Sequence, residues 1–449
     1  MQSGRAISSS LRMAGCLPQL PSLYSSRRRF TFEEMHSLPV SFEDVATACY
    51  RIKSGIVMTE CKWSEWLSAW CKMDVCIKKD YRQITGSFKE RGARNALMLL
   101  SDKQKETGVM AASAGNHAQA LAYHGFALGI PVTCLMPVVA PMTKVANCRK
   151  MGADVIIHGE NIEESKNHAM ETPSLAEKVY INGYDHPAII AGAGTMGVEI
   201  LDQVKGLDAI VVPVGGGGLI AGIALAVKTL SPSTRIIGVE PEFCPSMKAA
   251  VDAGSPTKVK STPTLADGLN VPLVGSNAFD ITRLLVDKLV TVSEKSIALA
   301  VLRMIEHEHV VLEGGGAAGL AAIFPEGPLH EELRNKRVAI PLCGSNIDVT
   351  TLGRVIDRGL AADSRLVRFV TVVKDVPGGI ANLTKDIADN GASIRDIYHE
   401  RAWLHTHVDM VQVKVVVEVT GAEHMTRVRQ NLESKGYDLA WGIECNDTW

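Results

Sequence analysis

The sequence has no excess of either charge. Its 47 Lys and Arg stand against 49 Asp and Glu over 449 residues, for a net charge of -2. That removes both the basic footprint of a nucleic-acid binder and the acidic excess of a solvating chain. Unbroken apolar runs of the ~20 residues that a membrane helix needs are also missing, because Gly, Pro or charge interrupts each candidate. Ten cysteines include no CxxC pair, the nearest two being Cys71 and Cys76. A structural zinc site and a dense disulfide framework are both disfavoured, and the cysteines read as reduced core residues of an intracellular protein. With 46% hydrophobic and 21% charged residues, the chain is neither disordered, collagenous nor coiled-coil. Its length accommodates two or three domains and at least one large core.

Acidic residues are missing altogether from residues 1–32, the first being Glu33. Arg5, Arg12, Arg27, Arg28 and Arg29 and a serine run (Ser8, Ser9, Ser10) fill that stretch. An acid-poor, arginine- and serine-rich leader is the composition of a mitochondrial transit peptide, with an untargeted tail of a cytoplasmic protein as the alternative. Residues 1–35 are therefore set apart from the fold.

From about residue 75 to 360, apolar β-rich runs alternate with helical stretches. Val75 to Lys79, Gly108 to Ala112, Pro131 to Met136, Ala153 to His158, Ala209 to Val214, Arg235 to Glu240 and Arg337 to Leu342 read as strands. Their near-continuous Val/Ile content predicts a parallel sheet covered on both faces, hence an α/β architecture. Residues 366–441 follow another order. Leu366 to Val373 is a strand, Ile380 to Asp389 a helix, Ala392 to Arg401 and Val408 to Val419 strands, and Ala422 to Lys435 a helix before a last short strand. This βαββαβ order predicts a ferredoxin-like unit.

The chemistry concentrates in loops that follow strands. Gly215-Gly216-Gly217-Gly218-Leu219 leaves one strand and opens a helix, so backbone N–H groups converge where a phosphate can be held. It is neither GxxxxGK[ST] nor GxGxxG with a downstream acid, so a nucleotide P-loop and a dinucleotide fold are not indicated. Ser113-Ala114-Gly115-Asn116-His117 opens a second helix in a manner suited to a carboxylate, or to simple capping by Ser113 or Asn116. Cys343-Gly344-Ser345-Asn346 follows a third strand, with capping again the plainer alternative. All three are expected at the carboxyl ends of strands of one parallel sheet, where α/β folds bind ligands. Lys89, in Gly86-Ser87-Phe88-Lys89-Glu90, follows a glycine and an aromatic, a setting in which a partly desolvated lysine can form Schiff bases.

Together TGSFKERGA (Thr85 to Ala93), SAGNHAQA (Ser113 to Ala120), GGGGL (Gly215 to Leu219), EGGGAAG (Glu313 to Gly319) and CGSN (Cys343 to Asn346) resemble the threonine/serine dehydratases (ammonia-lyases). These are fold-type II pyridoxal-phosphate enzymes, tryptophan synthase β-like, that carry a C-terminal ACT domain. The resemblance covers residues 36–441. It implies a two-lobed catalytic domain over 36–362, with a smaller lobe inserted at about 85–190, and an α+β ACT-like regulatory domain over 363–449. It implies pyridoxal 5'-phosphate on Lys89, which also acts as general base, and a phosphate held by Gly215, Gly216, Gly217, Gly218 and Leu219. Phe88, Asn116, Glu313 and Cys343 would also contact the cofactor, with Asn116 on the ring hydroxyl and Cys343 facing the pyridine nitrogen. Ser113, Ala114, Gly115, Asn116 and His117 would hold the substrate carboxylate. The expected reaction is deamination of L-threonine, and of L-serine, in which β-elimination of the hydroxyl is followed by hydrolysis to ammonia and 2-oxobutanoate or pyruvate.

Three positions depart from the family pattern. Cys343 stands where Ser or Thr is frequent, and a largely neutral thiol does not stabilise a protonated pyridinium strongly. Ala114 stands where related serine racemases carry a Ser that protonates the opposite face, which disfavours racemisation. Glu240 occupies a related metal position, but Cys244 and Ser246 stand at its companion offsets, so no metal is assigned. His117, His307 and His309 have no ligand spacing and read as site-lining or surface residues. In the ACT-like unit Asp375, Pro377 and Gly378 match the effector loop, implying an amino-acid effector and a homo-oligomer, a dimer or tetramer. A racemase or other pyridoxal-phosphate activity, and a non-catalytic amino-acid sensor, are the competing readings.

Overall fold

The computed structural model describes residues 34–35, 37–401 and 408–442. The arginine-rich segment 1–32 lies outside the described residues.

In chain order the strands are β1 (Cys61–Trp63), β2 (Asp74–Lys78), β3 (Val109–Ala112), β4 (Val132–Met136), β5 (Asp154–Ile157), β6 (Val179–Tyr180), β7 (Ala209–Pro213), β8 (Arg235–Pro241), β9 (Lys288–Val292), β10 (Arg337–Pro341), β11 (Leu366–Lys374), β12 (Ser393–Glu400), β13 (Met410–Glu418) and β14 (Leu439–Trp441). They form three sheets. The largest has the order β1-β2-β10-β7-β8-β9 and is parallel except for β1. A four-stranded parallel sheet, β5-β4-β3-β6, lies within residues 109–180. Both parallel sheets are clothed in helices, as the apolar strands require, and β4 and β7 are buried along their whole length. The third sheet, β12-β13-β11-β14, is antiparallel and with its two helices makes a ferredoxin-like unit. There Val411, Val413, Val415 and Val417 alternate inward onto Phe369, Leu383 and Val428. No helix among the described residues is long and apolar enough to cross a membrane.

The sequence reading missed β1, β6 and β9. Two of them are only two and three residues long, and all three lie at sheet edges, where less burial leaves a weaker apolar signal.

Two packing devices hold the larger sheet's helices in place. The helices Pro187–Gln203 and Gly218–Leu230 touch backbone to backbone: a Cβ on Gly222 would lie 2.3 Å from Ile190 O and 2.6 Å from Gly194 N. The second device is ionic. Arg91, fully buried, donates to both oxygens of Asp80 (2.7 and 2.8 Å) and of Glu199 (2.7 and 2.8 Å), while buried Lys78 pairs with Glu199 at 2.5 Å. This quartet pins the helix Lys89–Met98 against β2 and Pro187–Gln203, and so fixes the base of Lys89. Its charges balance, as buried ions must.

Gly222→Ala forces those two helices apart and is expected to lower stability by about 1–3 kcal/mol, read as a lower denaturant midpoint with unchanged slope. An unchanged midpoint would contradict so close a contact.

Candidate active site

Lys89 opens its helix at the end of the turn Gly86–Phe88, which is threaded onto the Cys343 loop. Phe88 N donates to Cys343 O at 3.0 Å, Ser345 N to Gly86 O at 3.0 Å, and Ser87 bridges to Gly344. The lysine is partly buried, its Nζ donating to Gly183 O at 2.6 Å and lying 5.2 Å from the centre of the Phe88 ring. Burial lowers its pKa from the ordinary value near 10.5 to about 8, with the Cys343 and Glu313 side chains opposing. About a tenth of the amine is therefore neutral, and nucleophilic, at pH 7, far more than for an exposed lysine.

The glycine loop leaves β7 and turns at Gly217, whose φ of +96° favours glycine, into the helix that starts at Gly218. The N–H groups of Gly215, Gly216, Gly217, Gly218 and Leu219 meet no acceptor among the described residues. Five unmatched amides at a helix N-terminus form an anion cradle, which fits a phosphate. Gly215 and Gly216 are also sterically required, since a Cβ would meet Leu269 Cα at 3.0 Å and the Tyr184 ring at 2.3 Å.

The Ser113–His117 loop departs from expectation. It follows β3, in the smaller sheet, whereas the glycine and Cys343 loops follow β7 and β10 of the larger one. The three loops therefore do not share one sheet, because residue type does not say which partner a strand pairs with. The capping alternatives also fall away. The helix Asn116–Leu128 has Gly115 as its N-cap and no side-chain cap, while Ser113 Oγ accepts from Gly115 N at 3.3 Å. No helix begins at Cys343; the next starts at Val349, capped by Asp348.

The two sheets meet at Asn116. Its Nδ2 donates to Glu313 Oε1 at 2.7 Å, and its Oδ1 accepts from Asn346 Nδ2 at 2.8 Å. Asn346 Nδ2 also donates to Thr85 O at 2.6 Å, which closes the ring back to the lysine turn. Glu313 precedes the helix Gly314–Ile323, and burial pushes its carboxyl up to about 7, aided by Asp267. Cys343 is buried, its thiol donating to Pro341 O at 3.5 Å, and burial raises its pKa well above the ordinary 9.0, so it stays neutral. His117 is buried, with Nε2 on Ile181 O at 3.0 Å, and burial lowers its pKa to about 3. Ala114 packs against the smaller lobe's core.

Other sequence candidates lie elsewhere. Glu240 accepts from Met247 N (2.6 Å) and Lys248 N (2.9 Å) at a helix N-terminus. Among the described residues no three His, Cys, Asp or Glu side chains form a metal cluster. Asp375, Pro377 and Gly378 link β11 to the helix Gly379–Asp389, where Gly378 has φ +97° and Asp375 pairs with Arg401 at 2.5 and 2.9 Å. His307 stacks on Trp66. All eight described cysteines are free, and seven are buried.

Residues 52–344 match the family model described as pyridoxal-phosphate dependent enzyme. The chain belongs to that family. It is 36% identical over 400 residues to the L-threonine ammonia-lyase of Thermotoga maritima, covering 89% of this chain and 99% of that one. An alignment of that length runs past residue 344 into the C-terminal region. In solved structures it resembles the processed form of threonine deaminase isoform 2 from Solanum lycopersicum, with TM-score 0.66 and 33% identity over 70% of this chain and 93% of that one. It also resembles the serine racemase from Dictyostelium discoideum, with TM-score 0.65 and 31% identity over 69% and 99%. Pyridoxal phosphate is thus the cofactor, and the free amides beside a desolvated lysine fit it.

Sequence reasoning overlooked the turn after β6. Gly183 accepts from Lys89, and Tyr184 packs under Gly216 and Gly218. The available signal was Asn182-Gly183-Tyr184-Asp185 before a proline-initiated helix, which has the strand–turn–helix form of the Ser113–His117 and glycine loops.

In the cofactor-free protein, reaction of Lys89 with the aldehyde of pyridoxal phosphate needs the neutral amine. Its rate is expected to rise about tenfold per pH unit up to about pH 8 and then level off. Absorbance stopped-flow reads this, and a rise continuing to about pH 10 would contradict the desolvated setting.

Proposed function

We propose that this protein is an L-threonine ammonia-lyase that also accepts L-serine. The observation that carries the reading is the placement of a desolvated lysine amine among amide-lined turns suited to a phosphate and a carboxylate, supported by 36% identity to a threonine ammonia-lyase. The N–H groups of Gly215 to Leu219 would hold the cofactor phosphate, and Phe88, Asn116, Glu313 and Cys343 would surround its ring. In the Ser113–His117 loop the N–H groups of Ala114, Asn116 and His117 meet no acceptor among the described residues, and at the positive end of the helix they would hold the substrate carboxylate. Pyridoxal phosphate, when bound, supplies the electron sink that lets Cα lose its proton and the β-hydroxyl depart. Lys89 carries the cofactor between turnovers, and its freed Nζ takes the Cα proton as general base. Cys343, a neutral thiol, would face the ring nitrogen and, unlike a carboxylate, would not stabilise its protonated form, which limits carbanion build-up and favours prompt loss of the β-hydroxyl. The unsaturated amine takes up water and yields ammonia with 2-oxobutanoate from threonine or pyruvate from serine.

Likeness to a serine racemase brings racemisation forward as a second reading. Ala114 argues against it, since a methyl group cannot protonate the opposite face. The ferredoxin-like unit reads as an ACT domain, with Asp375, Pro377 and Gly378 binding an amino-acid effector at contacts between copies of a dimer or tetramer. A catalytic domain over 36–362 and a regulatory one over 363–449 follow from this reading. The composition of residues 1–32 supports mitochondrial import.

Keto-acid release with threonine and with serine tests the proposal. The two substrates differ by one methyl group, worth about 1–3 kcal/mol, so both should turn over within about 200-fold. Lys89→Ala should lose at least about 100-fold in turnover with its melting temperature kept. Wild-type turnover in that variant, or D-serine as the sole product from L-serine, would refute it.

A further inference from the structure

The turn between β6 and the helix Pro187–Gln203 touches the lysine, His117 and the glycine loop. Asn182 shapes it, its Oδ1 accepting from Tyr184 N at 2.9 Å and Asp185 N at 2.8 Å. Ile181 O meets the ring of His117, and a Cβ on Gly183 would lie 2.7 Å from that ring. Gly183 O receives Lys89, and the ring and carbonyl of Tyr184 support Gly216 and Gly218. The smaller sheet's edge thus reaches into the larger sheet's phosphate loop.

The turn is fastened at one residue. Asp185 Oδ2 accepts from Ser276 N at 3.0 Å and its Oδ1 from Ala278 N at 2.9 Å, at the N-terminus of the helix Ser276–Leu285. Its backbone carbonyl accepts from Asn277 Nδ2 at 2.9 Å. The residue before that helix, Gly275, donates to Gly216 O at 3.1 Å, and a Cβ there would lie 2.1 Å from Asp185 Oδ1. One carboxylate therefore joins the helix that buttresses the glycine loop to the turn that receives the lysine.

We propose that Asp185 is a positioning residue, clamping the Ile181–Asp185 turn onto the helix Ser276–Leu285 and so fixing the distance between the Lys89 amine and the phosphate cradle. Its carboxylate bonds to backbone amides of that helix rather than to Lys89 or the glycine loop. A cofactor held at both ends, covalently at Lys89 and by its phosphate at Gly215 to Leu219, needs that distance constant. A carboxylate suits the clamp because it accepts from two amides at the positive end of a helix. The inference rests on reading Lys89 and the glycine loop as the two ends of the cofactor site, but not on which amino acid is consumed.

The test compares Asp185→Ala and Asp185→Asn with the wild type, full-length, with pyridoxal phosphate as the probe. Titrating the cofactor into each cofactor-free protein and following its absorbance gives the affinity. Visible circular dichroism of the bound cofactor reports how rigidly it is held. The alanine variant should bind at least tenfold more weakly, with a diminished visible signal and lower kcat/KM. The asparagine variant keeps one acceptor oxygen and should fall between; it gives the same readings if the alanine variant does not fold. Affinity and visible signal both unchanged, even with a lower melting temperature, would reduce Asp185 to a helix cap and overturn the proposal. A failure of the lyase reading would show as wild-type protein that binds cofactor normally but releases no keto acid.

Discussion

The side-chain amide of Asn116 is the point on which the site depends. It stands at the start of a helix in the smaller sheet's lobe, yet both ends of its amide bond to groups from the larger sheet's loops, Glu313 and Asn346. An amide is suited to this because it donates at one end and accepts at the other, so a buried carboxyl and a second amide are satisfied together. Asn346 carries the tie on to Thr85 and the lysine turn. Together with the Asp185 bonds to the helix at Ser276, it fixes two separately cored lobes to each other where an amine, a phosphate cradle and a carboxylate loop must converge.

Around that tie burial disfavours the charged forms of the polar side chains. Burial leaves Cys343 a thiol and His117 a neutral ring, and it moves the titrations of Glu313 and Lys89 to about 7 and 8. Fixed charge is supplied instead by backbone amides at helix N-termini, which attract anions without titrating. The arrangement separates two tasks. Amides bind the anionic ends of the ligands, and near-neutral side chains at the centre allow a proton to move at modest cost. The fully charged quartet of Lys78, Asp80, Arg91 and Glu199 lies behind the site as its frame, fixing the lysine helix.

What was legible in the sequence was local. Each of the loops at Lys89, Ser113, Gly215 and Cys343 announces itself by glycines or small polar residues after an apolar run. The C-terminal unit shows through its alternation, clearest along β13. What was not legible was pairing. Nothing in the composition of β3 says that it joins β4 and β6 rather than β7, so the carboxylate loop was expected on the wrong sheet. Similarly, β6 has two residues, too few for a pattern, and the meaning of the turn after it comes entirely from distant partners: Lys89, Gly216 and the helix at Ser276. Glu240 shows the converse, a carboxylate whose neighbourhood hinted at a ligand but whose oxygens bond to two backbone amides.

The central claim is that Lys89, among the lysines of the chain, is the amine that the surrounding loops present to the cofactor. Borohydride reduction of the cofactor-loaded protein, followed by proteolysis and mass spectrometry, tests it most directly. The account predicts a single stoichiometric pyridoxyl-phosphate addition, on the peptide that contains Lys89. Stoichiometric addition at any other lysine, with Lys89 unmodified, would contradict it.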